Sequence, residues 1–384
     1  MSKKPTTNYQ LPTTKSGLKI ALIADWIYGG GAEKVLEQLH KIYPDAPIYT
    51  SYATDEWRER LDNKVVTGYL QNWPFNKLRK FLPLLRQWWF AGLDLSEFDL
   101  VISATGNGEA KFIRTRDDAI HICYCHTPPH YYWRKYKDYM KNPGFGKLNF
   151  LARAGLFLLV KPLRRRDYAT AQNVDYFIGN SNHIADDIKI YYDRTAVAIF
   201  PSVDITKFSK VKPSKNKNLS FITWGRHVPD KRMDIAIEAC NNLELPLTIV
   251  GKGAETANLQ KIAGPTINFV GFLEDDELLE QISDSSAFIF TSMEDFGIAP
   301  VEALASGVPV IAYRAGGALD YVVEGKTGAF FAEQTVESLE RVLKTFDPSQ
   351  YKMEELKKFA EQFSNDNFKK NFLAFVSSLP SAKK

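Results

Sequence analysis

The chain has few cysteines, no long apolar run and little net charge, and each of these absences removes a class of protein. Its 384 residues include three cysteines, Cys123, Cys125 and Cys240. Three cysteines do not make a disulfide framework, so a reduced, cytoplasmic protein is expected. No stretch reaches the ~18 uncharged apolar residues of a membrane span. The net charge of +4 is small for this length, and nucleic acid is not an expected partner.

Motifs for binding a metal are missing as well. No Asp-x-Asp pair occurs, which disfavours an enzyme that holds a nucleotide diphosphate through a divalent ion on such a motif. His121, Cys123, Cys125 and His126 look like a zinc cluster, but strand alternation puts His126 on the opposite face and no second cysteine pair has zinc spacing. Neither a metal nor a cofactor is expected. His126 is instead predicted at the carboxyl end of a buried strand, as a polar contact or proton handler.

The dinucleotide-binding pattern is incomplete. Gly29, Gly30 and Gly31 follow an apolar strand, but no later glycine stands at the required spacing, so an NAD enzyme is disfavoured. The glycines still allow close approach of a ligand to the backbone, at the anion-binding end of the next helix. Gly30 and Gly31 are therefore candidate ligand contacts.

What the chain does contain is two successive series of strands and helices. The length predicts two domains. Strands are predicted at 19–25, 46–52, 65–70, 100–104, 120–125 and 176–179, and then at 219–224, 247–250, 267–270, 287–291 and 308–312. In the second series, helices are predicted between the strands at 234–243, 255–263, 276–283 and 299–306. The alternation indicates two doubly wound α/β domains with parallel sheets.

The domain boundaries follow from this pattern. Residues 1–17 are polar, without the apolar core of a signal peptide, and are predicted to be a flexible leader. The first domain is predicted at 18–200 and the second at 201–362, with the polar stretch 210–218 near their boundary. Residues 363–384 are predicted to be a helical tail that crosses back to the first domain.

The most informative motif lies at residues 292–303, between a buried strand and a helix. Backbone N–H groups at the start of that helix are unpaired and favour a phosphate group. Glu294 precedes the Phe296-Gly297 turn, and Glu302 lies in the first turns of the helix. A carboxylate there accepts hydrogen bonds from sugar hydroxyls, although an acidic residue near a helix N-terminus is also simply favourable electrostatics.

Other candidate contacts follow the strands of the second series. Arg226 and Lys231 follow its first strand, and a guanidinium with an ammonium suits a diphosphate that gains negative charge as it leaves. Gly251, in the turn 250–253, and Phe272, in the turn 270–273, are placed to form the walls of a nucleoside pocket. Taken singly, each of these segments is more often a solvated turn.

Two segments combine aromatic, aliphatic and basic residues, at 75–90 and 145–166. This combination suits a helix that lies in a membrane interface, while helices of the core with solvated edges are the alternative. Peripheral contact with an anionic membrane is therefore a hypothesis for this chain.

Taken together, these motifs resemble the retaining nucleotide-sugar glycosyltransferases of family 4. The resemblance covers nearly the whole chain after residue 17 and rests on Gly29-Gly30-Gly31-Ala32-Glu33, on Gly225-Arg226 with Lys231, and on Glu294 with Phe296-Gly297 and Glu302. Residues 122–133 and 175–181 look like the branch that holds O-antigen and related mannosyltransferases. The family implies the GT-B architecture, in which two Rossmann-like domains face each other and bind acceptor and nucleotide sugar respectively.

The resemblance also implies residue roles. Arg226 and Lys231 would bind the donor diphosphate, and Glu302 the nucleotide ribose. Glu294 would contact the donor sugar, beside the turn amides of Phe296, Gly297, Ile298 and Ala299, and His126 would lie at the reacting sugar. Transfer would need no metal and would retain the anomeric configuration, by front-face attack rather than through a covalent intermediate on Glu294.

The resulting prediction is a hexosyltransferase, with mannose from GDP-mannose moved onto a lipid-linked or polysaccharide glycan such as lipopolysaccharide. A UDP-sugar donor remains open. So do a sugar phosphorylase or epimerase of the same architecture and a sugar-binding protein without catalysis.

Overall fold

The structure is a computed structural model that describes residues 17–78, 83–144, 146–212 and 219–380. These residues form two compact units. The first unit includes the residues up to Gly179, Asp186–Ile199 and the chain from Lys369 onward. The second unit includes Asn180–Ala185 and Phe200–Phe368. The polar segment 210–212 lies inside the second unit, and residues 213–218 are outside the described residues.

In the described residues of the first unit, seven strands form one parallel sheet in the order β3-β2-β1-β4-β5-β6-β7. The strands are β1 Ile20–Ala24, β2 Ile48–Thr50, β3 Val65–Val66, β4 Leu100–Thr105, β5 Ile120–Cys125, β6 Tyr176–Gly179 and β7 Ala196–Ala198. The helices are α1 Gly31–Ile42, α2 Asp55–Arg60, α3 Phe75–Leu78, α4 Pro83–Ala91, α5 Tyr136–Lys141, α6 Asn149–Gln172 and α7 Asn182–Tyr192.

In the described residues of the second unit, six strands form a parallel sheet in the order β10-β9-β8-β11-β12-β13. The strands are β8 Phe221–Trp224, β9 Leu247–Val250, β10 Ile267–Gly271, β11 Ala287–Phe290, β12 Val310–Tyr313 and β13 Gly328–Phe331. The helices after residue 200 are α8 Ile205–Phe208, α9 Met233–Asn242, α10 Thr256–Ile262, α11 Asp275–Ser283, α12 Ile298–Ala305, α13 Ala318–Tyr321, α14 Val336–Leu343, α15 Met353–Ala360 and α16 Asn365–Ser378.

The central strands are buried on both faces because helices cover each side of a parallel sheet. Every residue of β4, β8 and β11 is buried, and side chains from both faces of the second sheet enter separate apolar clusters. These near-continuous apolar runs are what made the strands predictable. The two doubly wound α/β domains expected from the sequence are confirmed.

Some predicted elements differ in the structure. Residues 65–70 were expected to form one strand, but β3 ends at Val66 and a 3-10 turn occupies Tyr69–Gln71. The edge strands β7 and β13 were not predicted. Residues 381–384 lie outside the described residues, and α15 and a 3-10 turn at Glu361–Phe363 precede α16. The helical tail predicted at 363–384 is present as α16, Asn365–Ser378. From Lys369 onward it packs in the first unit, where the Phe372 ring lies 6.4 Å from that of Tyr43.

None of the helices in the described residues has the length and apolar character that a membrane span requires. The two amphipathic segments differ in their packing. In α4, Arg86 and Phe90 are buried, whereas the first half of α6 exposes large apolar side chains. Residues 79–82 and 145 lie outside the described residues.

Candidate active site at the start of helix α12

The candidate site lies where the strand order of the second sheet reverses. Strands β8 and β11 are neighbours at the centre of the sheet, and their successive connections run to opposite sides. Ligands of doubly wound sheets bind beyond the carboxyl ends of the two strands at such a switch point. The loop after β8 carries Arg226 and Lys231, and the loop after β11 carries Glu294.

Lys231 and Glu294 are brought into direct contact. The Lys231 ammonium donates a hydrogen bond to Glu294 Oε1, which also accepts one from Ser292 Oγ at 3.0 Å. The Lys231 carbonyl in turn accepts a hydrogen bond from Thr291 Oγ1 at 2.9 Å, so the two loops are fastened to each other. About a quarter of each charged side chain is exposed, 24% for Lys231 and 28% for Glu294. The pair is therefore ordered and still accessible to a ligand.

Helix α12 begins with backbone donors that the protein does not use. Gly297 stands before its first residue with φ of +90°, a conformation that favours glycine. Among the described residues, no acceptor contacts the N–H groups of Gly297, Ile298 or Ala299, and the first turn contains no acidic side chain. Unpaired N–H groups and the helix dipole together favour an anion at this position.

Phe296 fixes the position of this turn from the inside. Its ring is buried and packs against Phe200 at 5.9 Å and Tyr321 at 5.6 Å between ring centroids. A Cβ on Gly297 would lie 2.6 Å from the Tyr321 hydroxyl. The Phe296 side chain thus has a packing role, and only its backbone is available to a ligand.

Glu302 is the fifth residue of α12, and the indole of Trp224 holds its carboxylate. Trp224 Nε1, at the end of β8, donates a hydrogen bond to Glu302 Oε2 at 3.3 Å. The Trp224 ring is itself buried against Phe288, with ring centroids 4.2 Å apart. One carboxylate oxygen is thereby oriented by the sheet, and Glu302 is only partly buried.

A glycine pair that was not predicted from the sequence supports the Glu294 loop. Gly316 and Gly317 follow β12, and the Gly317 N–H donates a hydrogen bond to the Glu294 carbonyl at 2.8 Å. A Cβ on Gly316 would lie 2.3 Å from that carbonyl oxygen, and one on Gly317 would lie 2.3 Å from Phe296 Cα. Two successive glycines shortly after a buried strand are a signal that could have identified this turn.

The second unit also contains a cavity of about 480 Å³ beside the β9 and β10 strand ends. It is lined by 251–253, Thr256, Gln260 and 269–271. His227 is buried close to it, and its Nδ1 lies 2.9 Å from Thr256 Oγ1. Burial lowers the pKa of His227 below its usual value, which favours the neutral imidazole. Gly251 lines this cavity, whereas the neighbouring Phe272 is 70% exposed.

Arg226 is exposed, and in the described part of the chain its guanidinium has no hydrogen-bond or ion-pair partner. Its fork of donors is available to an incoming anion.

At the corresponding switch point of the first sheet, the backbone N–H groups donate hydrogen bonds to the carboxylate of Asp25. The strands there are β1 and β4, and Asp25 follows β1. The Asp25 carboxylate accepts hydrogen bonds from the N–H groups of Gly106, Asn107 and Ala110 at 2.6–2.8 Å, and from Thr105 Oγ1. These amides are satisfied internally, in contrast to those at the start of α12.

The glycine loop after β1 is arranged similarly. Glu33 Oε1 accepts hydrogen bonds from the N–H groups of Tyr28 and Gly29, at 3.2 and 3.3 Å. A Cβ on Gly30 would lie 3.1 Å from Glu33 Oε2, and Gly31 is the first residue of α1. The Glu33 carboxylate of α1 therefore accepts the hydrogen bonds of two loop N–H groups that could otherwise bind a ligand.

His126 directly follows β5 in the first unit, at the strand end where the sequence places it. Its N–H donates a hydrogen bond to the Thr105 carbonyl at 2.8 Å, and the partly buried ring packs on Tyr124 at 5.1 Å. His121, which the sequence grouped with it, lies 2.8 Å from Ser103 Oγ through Nε2. In the described residues, no three His, Cys, Asp or Glu side chains gather in a way that could hold a metal.

Comparison with known proteins places this site in a recognised sequence region. Residues 204–363 match the sequence family "Glycosyl transferases group 1", and this span contains Arg226, Lys231, Glu294 and Glu302. The matched span lies within the second unit of the fold.

The curated relatives include enzymes with several donors. A sulfoquinovosyl transferase of Arabidopsis thaliana is 33% identical over 127 residues, which are 32% of this chain and 25% of the relative. A GDP-mannose-dependent alpha-mannosyltransferase of Mycobacterium tuberculosis is 38% identical over 105 residues, 27% of this chain and 28% of the relative. The chain therefore aligns with only about a quarter of the length of these relatives.

The fold extends the similarity beyond the aligned segments. A crystal structure of Anabaena HepE in complex with UDP superposes with a TM-score of 0.67 at 19% identity, covering 94% of this chain and 100% of that chain. At this identity the likeness concerns the fold, which is GT-B as the resemblance implied. Mannosyltransferases are among the curated relatives, including the alpha-1,3/1,6-mannosyltransferase ALG2 of Homo sapiens.

Proposed function

We propose that this protein is a retaining, metal-independent hexosyltransferase that uses a nucleotide-sugar donor. The observation that carries the proposal is the set of unused N–H groups at Gly297, Ile298 and Ala299, next to the pair formed by Lys231 and Glu294. A diphosphate bound at these amides would be held by the helix dipole and by fixed donors. This is the part of the donor where negative charge develops when the sugar leaves.

Cationic side chains would stabilise that charge without a metal. Lys231 would exchange its contact with Glu294 for a phosphate oxygen, and Arg226 would add a bidentate contact from its exposed position. Once both side chains contact the bound diphosphate, their charges are in place before the sugar leaves and stabilise the negative charge on the leaving group. Activity in excess EDTA would support this arrangement, and strict dependence on added magnesium would contradict it.

The same exchange would give Glu294 its role. Once Lys231 turns to the diphosphate, the Glu294 carboxylate becomes free to accept hydrogen bonds from the hydroxyls of the donor sugar. Ser292 Oγ and the Gly317 N–H hold its side chain and backbone in place. Glu294 would thus orient the sugar rather than form a covalent bond with it.

The nucleoside would bind further along the same sheet. Glu302, oriented by Trp224, would accept hydrogen bonds from the ribose hydroxyls. The cavity of about 480 Å³ beside Gly251 would enclose the base, because its volume lies within the range of small-molecule sites.

GDP-mannose is the proposed donor. Support comes from the GDP-mannose-dependent mannosyltransferase among the relatives, and UDP-sugars are the alternative because the HepE structure was solved with UDP. Thermal unfolding in the presence of GDP-mannose, GDP-glucose, UDP-glucose and UDP-N-acetylglucosamine would discriminate the donors. A ligand at about 100 times its dissociation constant adds roughly 2.7 kcal/mol of stability. Stabilisation by UDP-sugars alone would overturn the mannose assignment.

The reaction would retain the configuration of the anomeric carbon. The acceptor hydroxyl would attack that carbon from the face on which the diphosphate departs, the bond from carbon to the leaving oxygen would break, and a phosphate oxygen would take the hydroxyl proton. His126 would contact the reacting sugar. Because the donor is α-linked, NMR of the product would show an α-glycoside, and a β-glycoside would contradict retention.

The proposed acceptor is a lipid-linked or polysaccharide glycan, as in the assembly of lipopolysaccharide, at the inner face of a membrane. Incubation with donor and a lipid extract would separate this activity from its alternatives. A transferase releases nucleoside diphosphate in step with a glycosylated lipid, whereas a phosphorylase needs inorganic phosphate and an epimerase releases no nucleotide. A protein that only binds sugar shows no turnover with any extract.

A further inference from the structure

The first half of helix α6 exposes large apolar side chains to solvent. The helix is buried on one side, through Val160, Leu163, Asp167 and Ala171. On the described surface of its first half, four large apolar side chains are between 57% and 71% exposed: Phe150, Leu151, Phe157 and Leu158. Exposed apolar patches of this kind mark sites of interaction in soluble proteins.

The four side chains form one continuous stripe. Phe150 and Phe157 are seven positions apart, as are Leu151 and Leu158, so each pair lies on the same side of the helix. At 3.6 residues per turn, all four fall within about 120° of the helix circumference, on the side opposite Leu163. An ordinary surface helix would carry polar residues on this face.

Positive charges extend the same stripe. Lys161 and Arg165 fall between the two apolar edges of the stripe, both are exposed, and neither has a hydrogen-bond or ion-pair partner among the residues that the structure describes. Arg164 and Arg166 instead donate hydrogen bonds to the Tyr132 carbonyl and Gln87 Oε1. The two cations without a protein partner among the described residues, Lys161 and Arg165, therefore lie on the same face of α6 as the apolar side chains.

No negative charge balances these cations nearby in the sequence. Between Asp138 and Asp167 the chain has no acidic residue, and it contains Lys141, Lys147, Arg153, Lys161 and the run 164–166. A second copy of this surface would carry the same charge and would repel the first. A surface that is both apolar and anionic complements the stripe, and the interface of an anionic lipid bilayer has both properties.

We infer that the stripe of α6, formed by Phe150, Leu151, Phe157, Leu158, Lys161 and Arg165, docks this protein onto an anionic lipid bilayer. The helix lies in the plane of the interface, with its aromatic and aliphatic side chains about 5–10 Å deep and its cations at the headgroups. Of the two segments that the sequence offers for this role, α6 is the one whose described residues expose a continuous apolar stripe, whereas Arg86 and Phe90 of α4 are buried in the first unit.

The test is flotation of the full chain with lipid vesicles. Wild-type protein is expected to float with phosphatidylcholine vesicles that contain phosphatidylglycerol, and to stay at the bottom with pure phosphatidylcholine. The double variant Phe157→Glu, Leu158→Glu is expected to bind at least about tenfold more weakly, because two anchors become acidic. The control is Ile190→Glu in α7, which changes an equally exposed residue (70%) outside the stripe and is expected to bind like the wild type.

Two further measurements follow. One tests whether docking to the bilayer depends on charge, and the other tests whether the protein associates with itself through the same face. Replacing Lys161 and Arg165 by glutamine is expected to weaken binding at about 0.1 M salt and to have little effect near 1 M, where the Debye length falls to about 3 Å. Sedimentation without lipid measures self-association. Three results would each overturn the inference. The wild-type protein could fail to float, or the Phe157→Glu, Leu158→Glu variant could float as well as the control. The third result is a wild-type dimer that these two substitutions dissociate.

The inference and the proposed reaction fail independently. The stripe lies in the first unit and includes none of the candidate site residues, so transfer to a water-soluble acceptor is expected to be unchanged in the Phe157→Glu, Leu158→Glu variant. Loss of flotation with full transfer supports the docking surface. Flotation without any transfer supports the surface and argues against the proposed reaction.

Discussion

The ammonium of Lys231 and the carboxylate of Glu294 form a hydrogen-bonded ion pair across 63 positions of sequence, joining the loops after β8 and β11. The contact places a cation and an anion beside the unused amides at the start of α12. Binding of a diphosphate at these amides would separate the pair, and each member would then contact a different part of the donor.

We expect Glu294→Gln to lower transfer by more than about 100-fold without unfolding the protein. The amide keeps the shape of the side chain but loses the charge that would accept sugar hydroxyls and hold Lys231. Initial rates with saturating donor measure the effect. Glu324→Gln is the matched control, because Glu324 forms an exposed ion pair with Arg314 in the same unit. Equal loss in both variants would count against the assignment of Glu294.

Replacement of Gly316 by alanine is expected to reduce donor affinity by more than about tenfold. A Cβ at Gly316 would meet the Glu294 carbonyl at 2.3 Å and would displace the loop. Gly325→Ala is the control, since Gly325 has a similar positive φ of +70° but no atom within 4 Å of an added Cβ. Both variants lose on the order of 1 kcal/mol through backbone strain, and only Gly316→Ala is expected to weaken donor binding. Calorimetric titration with the nucleotide sugar would distinguish them.

Trp224→Phe is expected to weaken donor binding about fivefold while leaving kcat nearly unchanged. The substitution keeps an aromatic ring against Phe288 but removes the N–H that orients Glu302, a hydrogen bond worth about 1 kcal/mol. A change in KM without a change in kcat would fit a contact with the ribose, which does not react. A fall in kcat with an unchanged KM would assign Glu302 to the chemical step instead.

The carboxyl of Glu109 is expected to make the free energy of unfolding depend on pH between about 4.5 and about 7. Its carboxyl is fully buried, 2.7 Å from Arg86 Nη2, and burial raises its pKa from 4.5 to about 7. In that window the folded state keeps a proton that the unfolded chain has lost, so the contribution to stability is largest at low pH and falls as pH rises through 7.

Urea unfolding at several pH values would measure this contribution. The free energy of unfolding of the wild type, relative to Glu109→Gln, is expected to fall by up to on the order of 3 kcal/mol between pH ~4.5 and ~7. A difference between the two proteins that stays constant over this range would show that Glu109 titrates normally.

The sequence predicted the central strands because parallel sheets bury them on both faces. Ile120–Cys125 and Leu247–Val250 were predicted at their observed bounds. The edge strands Ala196–Ala198 and Gly328–Phe331 were missed, since each leaves part of its residues exposed and interrupts the apolar pattern. At Gly68 the backbone lies against a side chain that is distant in sequence. A Cβ there would lie 2.0 Å from Trp89 Nε1, and the chain turns after β3 instead of continuing as a strand.

The loops that form the candidate site were predictable from the sequence, but the contacts between their side chains were not. Arg226, Lys231 and Glu294 could be recognised because charged residues follow buried strands at the switch point of the sheet. The contact between Lys231 and Glu294 was not predictable, because it depends on the pairing of β8 with β11. The sequence also did not show that Glu33 accepts hydrogen bonds from the amides of Tyr28 and Gly29, because that contact depends on the conformation of the glycine loop.

The most direct test of the central claim is the rate of nucleoside diphosphate release from GDP-mannose in excess EDTA, with and without a lipid-linked acceptor. The proposal predicts release that depends on the acceptor, equals the amount of glycosylated product, persists in EDTA and falls by more than about 100-fold in Glu294→Gln. No release with any nucleotide sugar and acceptor extract, or full release in Glu294→Gln, would contradict it.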